Sequence, residues 1–550
     1  MLKAGQGRTF IKRLTASLQP ALALDFLGLS SSGPSLDPKI TFTRASSGTY
    51  FGSDGLLKTA AVDVPRFDYN QSVPVGATGA KLNVGVPALS DLGTIQPTSG
   101  AVSVTNGAIR VYTADGTLAQ FQDAGSFWLN GTGVTIGKTY SITFDLVVAT
   151  GTALLQQAAS GTTAGSYTTS GSYSAYITSV PGSPLFVFKR QSGVTDFTVS
   201  NISIKEAIFA PRGLLIEEAR TNLCTFSSDH SNAAWTKANT SVSRTAVGLD
   251  GSANGADIIT ATSGSNSNIV NTSMASLALS TTYTKYVIAK AGTTPNLIFQ
   301  KSDNGVLTLV RFNLSTGTVA ANTTGGTASM TNLGDGKWLC ALTYTTGATG
   351  GQDIATDYID TYGAASGNTN LTIYHTQLEV GAFATSIIPT TTAAVTRAVD
   401  TAVMTGANFS SWFNAAQGTL IAEAQTLGSA SVRGVASIND GTANNKMDLR
   451  LRAGVLSIAS IAGTGVWNLS GVTSDNNVHK MALAYQSANN AATADGAVPS
   501  TSAQATIPTV NALDIGGLDM SGSLKLNGYI RRLSYYNTRL SDAQLQSLTT

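Results

Sequence analysis

Apolar residues recur at every second position along many short stretches of this chain, separated by clusters of Gly, Asn, Ser and Asp. In Tyr140–Ser141–Ile142–Thr143–Phe144–Asp145–Leu146 the alternation is strict, which predicts a strand with one packed face and one wet face. Short strands spaced by about 8–12 residues, with turn residues between them, predict two-sheet sandwiches. Residues 1–70 form a head segment. It has an extended run at Lys39–Arg44 and a hairpin that joins Tyr50–Phe51 to Leu56–Leu57 through Ser53–Asp54–Gly55, since an Asp-Gly pair suits a tight hairpin turn. A first block, 71–210, carries strands at Ala108–Tyr112, Thr139–Val148, Tyr173–Ile177, Leu185–Lys189 and Phe197–Ile204. A second block, 225–395, repeats that plan. Thr282–Ile288 answers the Tyr140 strand, Asn296–Gln300 answers Leu185–Lys189, and Asn370–Glu379 answers Asp196–Glu206. Each of these blocks closes on an acidic residue, a Phe (Phe209, Phe383) and a Pro (Pro211, Pro389). Self-similarity at a domain-sized period predicts tandem beads. The third block, 396–550, has strands at Gly418–Ala424, Met447–Leu451, Val455–Ile458, His479–Tyr485, Leu513–Ile515 and Lys525–Tyr536. A terminal helix should follow, with Ser541 as N-cap, Asp542 in its first turn, and Leu545 and Leu548 on one face.

Composition sharpens the picture. Only 12% of the 550 residues are charged, while 56 are glycine. A typical globular domain carries about 25% charge. Thr, Ser, Gly, Asn and Ala stand in its place, and they favour strands and turns over helices. An all-β chain of three sandwiches is expected. With 33 Lys+Arg against 31 Asp+Glu, and the basic residues scattered, there is no electrostatic footprint for nucleic acid. No stretch approaches the roughly 18 apolar residues that would span a bilayer. The basic start and Leu14–Leu24 faintly resemble a signal peptide, but Gln19, Pro20 and Asp25 interrupt the run, so export by a leader is not expected. Cys224 and Cys340 are too few for a disulfide framework or a zinc site. Buried thiols are the expectation, and whether the two pair depends on the fold.

Three segments resemble the opening module of phage virion fibre and spike proteins, including head spike fibre proteins. They are Ile40–Ser46 with Thr49–Tyr50 and Asp54–Gly55, then Val64–Tyr69, then Arg212–Leu223. In that family the second and third elements lie close together, so the first block resembles a domain inserted at a surface loop, with 211–224 as the return linker. The second block resembles carbohydrate-binding-module jelly rolls at Trp235, at Asp250–Asp257 and at Gln377–Ser386. The third resembles a concanavalin/laminin-G-like jelly roll through Gly528–Ile530 and Arg539–Ser541. The resemblance implies virion attachment through residues 1–70 to other virion proteins, homo-oligomers that are typically trimers, and display on the particle exterior after assembly in the host cytoplasm.

Candidate chemistry is sparse. Glu217 and Glu218 are adjacent, whereas a glycosidase needs two carboxyl groups flanking one bond. Strand neighbours point to opposite faces, so these two should instead pair with Arg212 or Arg220. Glu423 meets the same objection. Asp250, Asn254 and Asp257 offer oxygen ligands for a candidate structural calcium, although the spacing is not that of an EF-hand; no other cofactor is expected. Sugar stacking would need exposed aromatics, and Trp128, Trp235 and Tyr536 are the candidates, with Trp412 and Trp467 behind them. Trp338 reads as a buried sandwich residue. His230, His375 and His479 are far apart in sequence, and no nucleophile–base set or phosphate loop accompanies them.

The expected protein is therefore a non-enzymatic virion fibre or spike on tail or head, adhering to host-surface polysaccharide without touching nucleic acid or entering a membrane. An architectural head-decoration or collar protein with no host ligand is one alternative. A polysaccharide-depolymerising tail spike is the other.

Overall fold

A computed structural model describes residues 19–550 except 29–33, 83–99, 106–107, 114–136, 158–162, 180–185, 192, 263–266, 272, 274–276, 304–305, 350–351, 360–368, 429–431, 443, 453–454, 462–464, 469–474, 519 and 521–523. The fold is all-β, built of antiparallel two-sheet sandwiches of jelly-roll type. In the first sandwich, Thr139–Thr150 lies between Gly171–Thr178 and Thr195–Ile216. A three-stranded sheet of Thr163–Tyr167, Ala153–Gln157 and Phe186–Arg190 faces it. The alternation works as read: Tyr140, Ile142, Phe144 and Leu146 enter the core against Leu155, Phe186 and Phe188, while Thr143 is exposed.

The second sandwich pairs two six-stranded sheets. Thr282–Ala291 sits between Lys337–Thr345 and Asn370–Val380 in one. Asn296–Asp303 sits between Val306–Asn313 and Gln352–Ile359 in the other. The strands matched between the two blocks take equivalent places. In both, the first and last are sheet neighbours and the middle one lies in the facing sheet.

The third sandwich sets Gln417–Thr426, between Val478–Gln486 and Gly528–Tyr536, against a sheet centred on Arg433–Asn439. The terminal helix, Asp542–Leu548, is capped by a reciprocal Ser541–Gln544 box. Its one buried residue is Leu545, which meets Ala482, Ala484 and Ala491. Leu548 is instead 38% exposed, because a seven-residue helix offers one turn of contact to the sheet.

The head segment is not freestanding. Leu22–Asp25 is hydrogen-bonded along Gly528–Tyr536, and Thr41–Thr43 along Thr401–Thr405, so it adds a strand to each sheet of the third sandwich. Leu22, Leu24, Phe26, Ile40 and Phe42 are buried in that sandwich's core. Residues 211–224 are likewise more than a linker. Leu214–Ile216 ends the long strand Thr195–Ile216 and pairs with Gly528–Ile530. That strand thus begins in the first sandwich and finishes in the third, with Phe67–Leu82 running beside it. Alternation shows that a strand needs a partner; it does not name the partner. The hairpin itself, Gly48–Phe51 with Leu57–Ala60, forms about the expected turn.

Candidate functional site

Where head segment, second sandwich and third sandwich meet, the chain buries a network of ion pairs. Arg44 follows the strand Thr41–Thr43, Arg66 precedes Phe67–Leu82, Glu217 follows Thr195–Ile216 and Asp400 precedes Thr401–Thr405. Asp400 takes Arg44 at 3.1 Å and Arg66 at 2.5 Å, while Glu217 takes Arg66 at 2.8 Å and Arg397 at 3.1 Å. All five side chains are at most 1% exposed. Three guanidiniums against two carboxylates leave a surplus positive charge, and carbonyls absorb its donors. Arg44 donates to Ala61 and Val64 oxygens, Arg66 to Thr49 and Arg397 to Glu218. Burial alone would raise the Glu217 carboxyl. Arg397 and Arg66, with two bonds from Ser386, outweigh it and hold the group at about 2. Glu379 is held by the Thr385 amide and hydroxyl, and burial outweighs them and pushes it up to about 7.

Beside this network Glu218 ties the second and third sandwiches together. It receives Arg220 at 2.5 Å and Arg433 at 2.9 Å. Both guanidiniums stack on the Phe383 ring, at 4.9 and 5.0 Å. A Cβ at Gly428 would meet that ring at 2.5 Å, so the approach needs glycine.

These joints frame a cleft of about 560 Å³. One wall is the outermost strand of a second-sandwich sheet, Thr327–Asn332, which presents Thr327, Ser329 and Thr331 to solvent in alternation. Tyr50, Phe51 and Tyr69 of the head segment also line the cleft. At its polar end Asp68 accepts the Phe51 amide at 2.7 Å and the Tyr529 hydroxyl at 2.8 Å. Arg212 donates to that same hydroxyl at 2.9 Å and lies over the Tyr529 ring at 5.2 Å. Burial raises the Asp68 carboxyl despite Arg212. Aromatic faces, spare hydroxyls and a fixed guanidinium in one concave, half-apolar site are suited to holding a small polar ligand.

No protein-family model matches the chain, and no curated protein matches its sequence. Solved structures do. The chain is similar to the CBM40 of the Ruminococcus gnavus IT-sialidase bound to α2,3-sialyllactose, at 17% identity and TM-score 0.24 over 26% of this chain and 88% of that one. It is similar to the N-terminal CBM22-1–CBM22-2 tandem of Paenibacillus barcinonensis Xyn10C, at 10% identity and TM-score 0.20 over 56% and 100%. Mouse laminin α1 domains LG4-5 match at 10% identity and TM-score 0.18, over 49% and 87%. At these values neither ligand nor activity carries across.

The structure scatters most of the residues singled out in sequence. Trp235 is 1% exposed, bonds the Phe226 carbonyl and packs on His230 at 4.5 Å, so it cannot stack a sugar. Trp412 is buried against Phe409 and Tyr535. Trp338, expected inside, is half-buried at the margin of its core. Tyr536 is half-buried beside the terminal helix. Trp128 and the Trp467 side chain lie outside the described residues. Of the calcium candidates, Asp257 is fully buried on Ala256–Ala261 and engages His230 and Arg244, while Asp250 and Asn254 stay on the exposed turn. Asp250 there accepts Ser252 twice. Among the described residues no group of three His, Cys, Asp or Glu could hold a metal ion. Glu217 and Glu218 do take different partners, yet Arg212 pairs with neither. Glu423 pairs with Arg531 and Arg532. Cys224 and Cys340 are both buried and are not joined to each other in a disulfide. The cleft itself was not anticipated. Asp68 and Arg212 sit in two of the three segments that resemble the fibre module, and Tyr529 in a segment of the third block, but Tyr529 lies 461 positions from Asp68, and no local pattern links them.

Proposed function

We propose that this protein is a structural component of a phage virion, a fibre or spike projecting from tail or head, that adheres to host-surface glycans. One observation carries the reading. The three segments that resemble the fibre module, Ile40–Ser46, Val64–Tyr69 and Arg212–Leu223, deliver Arg44, Arg66 and Glu217 to a single buried network, although the first sandwich separates them in sequence. Conserved spacing is not needed for a shared purpose when the side chains meet. The cleft beside that network supplies the adhesive surface, with the half-exposed ring of Tyr536 as an outer contact. Oligomerisation, as a trimer by the family resemblance, would multiply weak sites by effective concentration. The carboxylates that a depolymerase would use are engaged by arginines at Glu217, Glu218 and Glu423, which favours adhesion over hydrolysis.

Immunogold labelling of purified particles, together with a glycan array probed by the full chain, tests this. Label on the particle exterior and saccharide hits are expected. Label without hits would favour an architectural collar or decoration protein, and reducing ends released from capsule would favour a depolymerase. An unlabelled particle would end the virion reading.

A further inference from the structure

We propose that the cleft between head segment and second sandwich takes a carboxylate-bearing saccharide, with Arg212 as the anion anchor; this rests on the glycan-adhesion reading above and specifies its ligand. Three charged side chains line the cleft: Asp68, Arg212 and Glu217. Glu217 is spent on Arg66, Arg397 and Ser386. Asp68 accepts one strong bond on each oxygen. Arg212 differs. A guanidinium has five N–H donors, and among the described residues the bonds are one of 2.9 Å to Tyr529, a long one of 3.5 Å to Asn70, and an ion contact of 3.8 Å to Asp68.

Its side chain is 24% exposed, so it is largely stripped of water yet open to the cleft. Stacking on Tyr529 fixes the plane of the guanidinium. A planar, oriented guanidinium with unspent donors fits a carboxylate in bidentate fashion, and low local dielectric strengthens the pair. The hydroxyl row of Thr327, Ser329 and Thr331 favours a sugar ring over an acidic peptide as the bearer of that carboxylate. Hydroxyls on an alternating outermost strand offer repeated two-way hydrogen bonds at fixed spacing, which sugar hydroxyls can use.

The test is calorimetric titration of the full chain with oligogalacturonate, with α2,8-linked oligosialate, with carboxyl-reduced oligogalacturonate and with oligoglutamate. At least one of the two acidic saccharides should bind, and its Kd should rise roughly ten- to a hundredfold in Arg212→Gln with the melting temperature little changed. Ser329→Trp, a change at an exposed position on the cleft wall, should abolish the same binding. Equal binding of the carboxyl-reduced oligosaccharide, with Arg212→Gln indifferent and Ser329→Trp still blocking, would overturn the anion anchor and leave glycan adhesion standing. Neutral array hits that neither acidic probe reproduces would do likewise. Binding of oligoglutamate in preference to both saccharides would overturn the saccharide itself.

Discussion

Asp400 is the residue on which most of the buried network depends, since both of its oxygens hold a guanidinium and one also accepts the Glu217 amide at 2.9 Å. Asp400→Ala should leave Arg44 and Arg66 buried without that partner and cost about 3–5 kcal/mol in chemical denaturation; a loss under about 1 kcal/mol would mean the network relaxes without it. Buried titratable groups give the chain a signed pH dependence. Burial lowers His375 to about 4, so the contribution of its neutral form is complete above about 6.5 and is lost as pH falls toward 4. Glu217, held at about 2, likewise contributes above about 4.5 and loses that contribution at lower pH. Glu379 runs the other way. Raised to about 7, it favours the protonated form, and stability should decline as pH rises from about 4.5 through 7. Glu379→Gln should therefore raise the melting temperature at pH 8 relative to the parent, with the difference vanishing near pH 4; a constant difference across that range would sink the assignment. Of these residues, Arg44, Arg66 and Glu217 stood out in sequence as parts of motifs. Their mutual contact did not, because an ion pair across 334 or 356 positions leaves no periodic trace.

Strand positions were legible because side-chain patterning is local: Thr139–Thr150 and Gln417–Thr426 fall where apolar residues recur every second place, and Thr282–Ala291 on a short apolar run. Strand partners were not legible, as the head segment shows. Removing residues 1–44 should uncover the edges of Gly528–Tyr536 and Thr401–Thr405 and expose their unpaired amides. Such a truncation should aggregate through those edges, which light scattering during refolding would register; a monodisperse product would argue against the head segment as an integral part of the sandwich. The strand Thr195–Ile216 has its weak point at Gly213. There φ is +121°, and a Cβ would meet the Ile530 carbonyl oxygen at 2.3 Å. Gly213→Val should cost roughly 1–3 kcal/mol in backbone strain alone, seen as a lowered melting temperature of the third sandwich while the first is spared.

At the scale of the whole molecule, the shared strand joins the first sandwich to the third, the buried network joins the head segment to the second and third, and the cleft exists only because these parts are joined. Its walls come from residues within 49–71, 212–217, 327–343 and 382–387 and from Ile288, with Leu427, Gly428, Asn476 and Tyr529 from the third sandwich. Limited proteolysis should therefore leave these parts associated after a first cut. Asp400→Ala should loosen them and weaken saccharide binding without altering a cleft side chain; separate release of the second sandwich from the parent chain would contradict this. By itself the amino-acid sequence determined the class, most strands and the capped terminal helix, since each rests on periodicity or on neighbours within a few residues. Tertiary structure alone decided that the first strands complete the last sandwich, that Trp235 and Asp257 are buried, and that Asp68, Arg212 and Tyr529 share one cleft. An exposed strand edge accepts any antiparallel partner through the same backbone bonds, so the choice lies in packing and charge contacts between residues hundreds of positions apart.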